Sequence, residues 1–285
     1  MHSPAATVAR VARPPRLEVP DGIFHTFSRG NERRRIFRDD ADFRRFLKLL
    51  GGVVARYRWR LLTYCLMPNH HHLLVQTPEP NLSRGMRQLN GVYAQWFNRR
   101  HDRVGHLFQG RFGARLVQDD EHMLTVCRYI VRNPLRTSNP IHPLDWPWSS
   151  HRAVLGLEPP PAFLDVDRLL SFFGATKAAA RELYRAHVEE TDDPPPSHPL
   201  VNGDDGFVAD HVALVPPDPE FPRRYCVVTP PPLAELVRDR DDVSAVAAAH
   251  LDHGYSMRQI ATHLRCGTAT ISRRIRAHEG STRET

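Results

Sequence analysis

The apolar positions in the first part of the chain follow two different periods. A β-prone run at 23–28 is closed by turn-forming residues and predicts a first strand. Behind an acidic turn, apolar residues spaced three and four apart predict an amphipathic helix around 43–50. Two further strands are predicted at 58–66 and across 67–75, where three adjacent histidines run into an apolar tail.

Two longer helical patterns follow, with a basic segment between them. Apolar residues at helical spacing across 81–97 predict a helix, and we interpret Tyr93 within it as a packing residue. A second helix is predicted across 119–133, where Pro134 ends it. The tryptophans near 146–148 are interpreted as packing residues that close the compact part of the chain.

The ends of the chain have a different composition. Residues 1–20 lack periodicity and are predicted to be a flexible tail, and 156–235 contains proline runs between short helical pieces and is predicted to be a linker. From 236 to 285, a helix, a short glycine-bearing turn and a helix predict a helix-turn-helix DNA-binding unit. The alternative for this unit is a plain three-helix bundle with an exposed basic face.

Composition limits the classes of function. The chain has 285 residues, a net charge of +7 and a pI of about 9.6, and its surplus of arginine suits a polyphosphate partner, although a generic basic surface is the alternative. Four scattered cysteines without a CxxC pair argue against a disulfide framework and fit a reducing cytoplasm. We expect a cytoplasmic, nucleoid-associated protein, because no apolar run reaches the length of a membrane span and the N-terminus lacks the apolar core of a signal peptide.

The three adjacent histidines are the first candidate site residues in the chain. Alternate residues of a strand share a face, so His70 and His72 are predicted to project together while His71 projects the other way. Two imidazoles held in this way form half of a metal site. The alternative is a pair of solvent-facing histidines at the end of a strand.

The helix before Pro134 carries a second group of candidate site residues. Tyr129 and Asn133 lie four residues apart and therefore on one face, with Arg128 and Arg132 on the adjacent face. The segment 98–115 interleaves arginines with glycine and phenylalanine, so it could follow a phosphate backbone and stack on bases, or it could be a solvated basic loop. The candidate DNA contacts across the chain are Arg29, Arg33, Arg34, Arg99, Arg100, Arg103, His106, Phe108, Arg111, Arg115, Arg128, Arg132, Arg273, Arg274 and Arg276.

Four motifs occur in an order that resembles the single-tyrosine HUH transposases, and among them the REP-associated tyrosine transposases. They are Ser28-Arg29-Gly30-Asn31, Met67-Pro68-Asn69-His70-His71-His72, Gly105-His106-Leu107-Phe108-Gln109-Gly110-Arg111 and Tyr129-Ile130-Val131-Arg132-Asn133-Pro134. The resemblance covers about half of the chain. It implies an α+β, ferredoxin-like HUH domain over 21–155 with a central antiparallel sheet.

The resemblance also implies roles for individual residues. His70, His72 and the amide oxygen of Asn133 would bind Mg²⁺ or Mn²⁺, and Tyr129 would be the nucleophile that forms a 5′-phosphotyrosine. One position departs from the family, because the residue between the two histidines is usually hydrophobic and here is His71. Its imidazole needs a buried partner, or the strand is shifted by one residue.

The sequence therefore predicts a metal-dependent endonuclease and strand transferase that acts on single-stranded, hairpin-bearing DNA as a monomer or homodimer, with duplex binding by the C-terminal unit. Two alternatives stay open. One is a DNA-binding regulator whose HUH core has lost catalysis, and the other is a relaxase or replication initiator that uses the same chemistry.

Overall fold

The computed structural model describes residues 17–118, 121–190, 200–212, 231–239, 241–251, 253, 255 and 257–281. The chain divides into two compact units, Glu18–Pro196 and Met1–Leu17 together with Ser197–Thr285. The tail predicted at 1–20 lies outside the described residues up to position 16.

The unit Glu18–Pro196 contains the predicted strands and helices of the first half of the chain. Its strands are β1 (Gly22–Arg29), β2 (Arg60–Met67), β3 (His70–Thr77) and β4 (Gly113–Val117). Its helices are α1 (Asp40–Tyr57), α2 (Leu82–Arg100), α3 (Glu121–Val131), α4 (His151–Leu155), α5 (Val166–Leu170) and α6 (Lys177–Glu189), with 3-10 turns at Asn31–Arg33, Asn133–Arg136 and Pro143–Asp145.

The strands of this unit lie in the order β2-β3-β1-β4, and each neighbouring pair is antiparallel. Connected as β1-α1-β2-β3-α2-β4, they form the ferredoxin-like arrangement. The α+β class and the antiparallel sheet predicted for this part of the chain are confirmed.

Helices cover both faces of this sheet. On one face, Thr26 of β1 donates a hydrogen bond to the sulfur of Met86 in α2, and Phe46 of α1 packs against His71 of β3 at 4.7 Å between ring centroids. On the other face, α3 packs against β2 and β3. Because side chains alternate along a strand, each strand supplies both layers of the core.

Local sequence determines where α1 begins and ends. The Asp39 side chain accepts hydrogen bonds from the backbone N–H groups of Ala41 and Asp42, which caps the first turn. The helix ends at Arg58, whose φ of 57° is left-handed and turns the chain towards β2. Tyr93 of α2 is buried and donates a hydrogen bond to the Ile36 carbonyl, as its interpretation as a packing residue requires.

Residues 156–190 differ from the linker that we expected. In α5 and α6 the side chains of Leu169, Ala180 and Tyr184 are fully buried, and α6 packs against α3 and α4. Ala180, Tyr184 and Val188 are spaced four apart and form an apolar stripe, which the proline runs on either side obscured in the sequence. The parts of the expected linker at 191–199 and 213–230 lie outside the described residues.

The second unit contains short helices around a small core. Its elements are β5 (Val201–Asn202), α7 (Asp205–Val212), α8 (Leu233–Leu236), α9 (Val243–Leu251), α10 (Met257–His263) and α11 (Thr268–Ser281). Helices α9 to α11 lie where the sequence predicts helices, and Val246, Ile260 and Ile271 are buried between them. Throughout the described ranges, no helix is both long and apolar enough to cross a bilayer.

Candidate active site

The α3 face of the sheet brings His70, His72 and Tyr129 together. The rings of His70 and His72 lie edge to face at 5.0 Å between centroids, and the His72 ring lies edge to face with Tyr129 at 5.7 Å. The predicted shared face of His70 and His72 is therefore what the structure shows. A strand from the middle of the sheet and a helix from near residue 130 supply the two halves of the site.

His71 occupies the opposite face and is completely buried. Its Nε2 lies 3.3 Å from Oδ1 of Asn90 in α2, and the Asn90 amide nitrogen donates to the Ser28 hydroxyl at 2.8 Å. Its Nδ1 is enclosed without a hydrogen-bond partner. The imidazole that departs from the family pattern thus has a buried amide partner, and the strand is not shifted.

Hydrogen bonds around His70 fix the tautomer of its ring. The amide nitrogen of Asn69 donates to the Arg33 carbonyl at 3.2 Å, so the amide oxygen of Asn69 is the group that faces Nδ1 of His70, at 2.6 Å. Nδ1 must therefore carry the proton and donate it. The lone pair of a neutral His70 is then on Nε2.

Asn133 presents its amide oxygen to that lone pair. Its amide nitrogen donates to the carbonyls of Tyr129 at 2.9 Å and Ile130 at 3.3 Å, which turns Oδ1 towards Nε2 of His70, 3.3 Å away. Two acceptors that face each other at this distance repel unless a cation lies between them. The local donor pattern therefore fits a shared metal ion better than a direct hydrogen bond.

His25 of β1 is the hydrogen-bond partner of His72. Its Nε2 lies 2.9 Å from Nδ1 of His72, and both imidazoles are buried. If Nδ1 of His72 donates this bond, Nε2 of His72 is left with a lone pair for a ligand. An imidazole that holds the ring of a metal ligand in this way fixes both its orientation and its tautomer.

The imidazoles of the site are neutral at pH 7. Burial lowers the pKa of His25 to about 3 and the pKa of His70 to about 4. Burial also holds the pKa of His72 well below its usual value, and the neighbouring His25 adds to this effect. Neutral imidazole is the form that binds metal ions.

Tyr129 is half-buried, and cationic side chains approach it. The guanidinium carbon of Arg136 lies 4.5 Å from the centre of the phenol ring. Arg115 of β4 interacts electrostatically with the Tyr129 hydroxyl. Because α3 ends at Val131 and a 3-10 turn begins at Asn133, the tyrosine lies in the last turn of its helix.

Together these residues form a mixed donor set of two imidazole nitrogens and one amide oxygen. Such a set accepts Mg²⁺ or Mn²⁺, with the imidazoles favouring Mn²⁺. It contains neither a carboxylate nor a thiolate, and within the described parts of the chain no group of three or more His, Cys, Asp or Glu residues could hold a metal ion. The metal set predicted from sequence is thus brought together in space, and its function stays a prediction.

Arg128 of α3 and Arg132, which directly follows this helix, bond to other parts of the same unit. Their assignment as DNA contacts stays a prediction. Arg128 is buried, with only 5% of its side chain exposed, and it forms an ion pair with Glu190. Arg132 donates to the Val188 carbonyl at 2.8 Å. The two bonds join the C-terminal end of α3 to the C-terminal end of α6. Both arginines reach the same partner helix because residues four apart share a face.

Arg100, another predicted DNA contact, forms ion pairs with two aspartates. Its guanidinium contacts the carboxylates of Asp39 and Asp42, and it holds the pKa of Asp39 below its usual value through a side-chain hydrogen bond. Since Asp42 is completely buried, the bond joins the end of α2 to the start of α1. The charge of Arg100 is thereby neutralised within the protein.

The other candidate DNA contacts near the site differ in exposure. Arg34 pairs with Glu32 at 2.6 Å with both side chains mostly exposed, and Arg103 is half-buried beside the Phe97 ring. Phe108 forms a bridge with Gly30 that holds the basic segment at the end of β1. Exposed side chains occur at Arg29, Arg33, Arg99, His106 and Arg111.

In the second unit, the basic residues of α11 are not equivalent. Arg273 is exposed, whereas Arg274 forms an ion pair with Asp241 at 2.6 Å. The side chain of Arg276 lies outside the described part of the structure.

Sequence reasoning missed several residues of the site. His25 and Arg136 were not predicted, and Asn69 was named only as part of the histidine motif. His25 could have been found from strand alternation. It lies two residues from Phe27 on β1, so both side chains lie on the same face, and the pairing of β1 with β3 makes this the face of His72. No pattern in the sequence points to Arg136.

Comparison with known proteins agrees with the order of the motifs. Residues 18–133 match the family model described as "Transposase IS200 like". A Haemophilus influenzae protein named a REP-associated tyrosine transposase is 32% identical over 110 residues, which are 34% of this chain and 62% of that protein. The chain thus spans less than two thirds of the length of that relative.

A solved structure of a REP-associated tyrosine transposase bound to a REP hairpin is also similar. The alignment has a TM-score of 0.44 and 20% sequence identity, and it covers 52% of this chain and 88% of the other. The family match covers residues 18–133, which include His70, His72, Tyr129 and Asn133.

Proposed function

We propose that this protein is an HUH single-tyrosine transposase that nicks and rejoins single-stranded DNA bearing a hairpin. The observation that carries the proposal is the position of Tyr129 beside His72, with Nε2 of His70 facing Oδ1 of Asn133 at 3.3 Å. The family match supports the same class of reaction, because IS200-like transposases are DNA-cleaving enzymes. Such an enzyme acts on DNA in the cytoplasm.

Each residue has a distinct role in the proposed reaction. Tyr129 attacks the scissile phosphate through its phenolic oxygen, and a 3′-hydroxyl leaves, which gives a 5′-phosphotyrosine. His70, His72 and Asn133 would hold a divalent metal ion, which would supply Lewis-acid stabilisation of the phosphate when bound. His25 positions His72, and Asn69 positions His70. Retention of the ester allows a second 3′-hydroxyl to reverse the step and join strands.

A cleavage assay on hairpin-bearing single-stranded DNA with Mn²⁺ tests the nucleophile. We expect Tyr129→Phe to lower the rate at least about 10⁴-fold and to abolish the covalent protein–DNA adduct on a denaturing gel. Tyr57→Phe is the matched control, because Tyr57 lies on α1 and donates to Gln88 away from the site. Unaltered cleavage by Tyr129→Phe would exclude this assignment.

We further propose that the second unit binds duplex DNA through α11. The exposed side chain of Arg273, in the second turn of α11, supports this function. In the full chain, Arg273→Ala should weaken duplex binding and reduce the salt slope by about one, as loss of a phosphate contact does. An unchanged affinity and slope would contradict it. If duplex binding persists while the wild-type protein cleaves no DNA, the alternative of a DNA-binding regulator is favoured.

A further inference from the structure

Arg115 lies on the site face of β4, beside the candidate nucleophile. In the register of the sheet it is paired with His25, and its guanidinium carbon lies 5.3 Å from the centre of the Phe27 ring. Phe27 can cover this strand because position 113 is glycine: a Cβ there would lie 2.3 Å from Cζ of Phe27. The sheet thus places a half-buried guanidinium, whose Nε is enclosed, beside Tyr129.

The charge of Arg115 has no counter-ion among the described residues. Its Nε is enclosed without a hydrogen-bond partner, and no described carboxylate forms an ion pair with it. Burial lowers the pKa of Arg115, and the nearby Tyr129 is the group that opposes this effect. The neighbouring imidazoles of His25 and His72 offer no negative charge, because imidazole in a protein is either neutral or cationic. A guanidinium nevertheless stays protonated in proteins.

A buried arginine of this unit shows the contrast. Arg128 has only 5% of its side chain exposed, and it pairs with Glu190. It therefore has a carboxylate within the protein, as an enclosed cation usually does. A desolvated cation without one is unfavourable in the free protein, so its natural counter-ion is an anion that enters the site.

We propose that Arg115 is a catalytic residue that binds a non-bridging oxygen of the scissile phosphate and stabilises its charge during transfer. This inference rests on the proposed function. In the step, the bond between phosphorus and Oη of Tyr129 forms and the bond between phosphorus and the 3′-oxygen breaks. The phenol gives up its proton to solvent, and the 3′-oxygen gains one, so the step needs no further reactant. This role differs from that of a loop arginine that grips the DNA backbone.

The chemistry of guanidinium suits this role. It donates two parallel hydrogen bonds to phosphate oxygens, and in a site closed to water each charge-assisted bond is stronger than on the surface. In phosphoryl transfer the charge lies on the non-bridging oxygens, so an arginine placed there before the reaction lowers the barrier.

Steady-state cleavage of hairpin single-stranded DNA by the full chain tests the inference. We expect Arg115→Met to lower kcat about 10²–10³-fold with little change in KM. Free guanidinium ion should restore part of the rate of Arg115→Ala, and Arg115→Lys should retain a fraction of the wild-type kcat. Arg111→Met is the contrasting variant, since an exposed arginine on the same segment should affect KM more than kcat.

Thermal unfolding supplies a readout that does not depend on activity. Arg115→Met keeps the apolar stem and removes the unpaired charge, so it should raise Tm, and inorganic phosphate should stabilise the wild type more than this variant. If the wild type cleaves DNA and Arg115→Met keeps its kcat, the inference is wrong. It is also wrong if kcat and Tm fall together without rescue by guanidinium. If the wild type does not cleave at all, the proposed function fails, whereas loss of phosphate stabilisation in Arg115→Met would still place an anion at Arg115.

Discussion

His71 and His72 are neighbours in sequence, yet the two faces of the sheet give them different environments. His72 faces α3, where its partners are the rings of His25, His70 and Tyr129. His71 faces α1 and α2, where its neighbours are Phe46 and the amide of Asn90.

Both imidazoles are buried and both have a lowered pKa, so burial alone does not identify a functional histidine. The difference lies in what surrounds the rings. On the α3 face, His72 lies beside other polar groups that have free lone pairs or a charge. On the opposite face, His71 contacts one amide and aromatic rings. A cluster of polar groups with unsatisfied bonding capacity is a better sign of a site than a perturbed pKa.

The largest expected effect is on Mn²⁺ affinity, and it distinguishes the two faces of the sheet. His70→Ala should lower Mn²⁺ affinity of the full chain more than about 100-fold, because it removes a ligand and not merely a partner of one. Isothermal titration with Mn²⁺ measures this.

His71→Leu is the matched variant for that experiment. Mn²⁺ affinity should change less than about threefold, and any effect should appear in the free energy of unfolding, since Asn90 loses its partner. If His71→Leu abolished Mn²⁺ binding while His70→Ala did not, the register of β3 described here would be wrong.

A smaller effect is expected from the residue that positions His72. His25→Phe should weaken Mn²⁺ affinity about 10–100-fold, as loss of a hydrogen-bond partner of a metal ligand does. His25→Gln can still accept a hydrogen bond from Nδ1 of His72, so it should keep a higher Mn²⁺ affinity than His25→Phe. Equal affinities for both variants and the wild type would mean that His25 only packs.

Acid unfolding tests a buried histidine outside the candidate site, His151, which is the first residue of α4 and contacts Tyr184 of α6. Its Nδ1 is 3.0 Å from the Tyr184 hydroxyl, and burial, with the charges of His142 and Arg185, lowers its pKa to about 4. The unfolded chain binds the proton near pH 6.5, so the free energy of unfolding falls as the pH drops from 6.5 to 4.

His151→Gln should remove this contribution. In urea unfolding between pH 7 and 4, its stability should fall less steeply than that of the wild type, by up to about 1.4 kcal/mol per pH unit. Parallel curves would show that His151 binds its proton over the same pH range in the folded and the unfolded protein.

These contrasts also show what the sequence could predict. The strict alternation of a strand was sufficient to place His70 and His72 together, and helical spacing was sufficient to place Tyr129 and Asn133 on one face. His25 needed the pairing of β1 with β3, which joins residues 47 positions apart. Sequence periodicity describes one element at a time and does not say which elements become neighbours.

Charge was the least reliable guide. Arg100 and Arg115 belong to the same basic stretch, but one is neutralised by acidic residues of α1 and the other lies unpaired in the site. Similarly, the proline runs around 156–190 suggested a linker, although Tyr184 is completely buried. In both cases the outcome depends on contacts between distant segments, which composition does not record.

The attachment of α3 to α6 has a consequence for assembly. Arg128 and Arg132 hold the helix of Tyr129 by bonds to Glu190 and to the Val188 carbonyl of the same chain. To donate this helix to a second copy, the protein would have to break both bonds and expose a buried guanidinium. Tyr129, His70 and His72 therefore come together within a single chain in this structure.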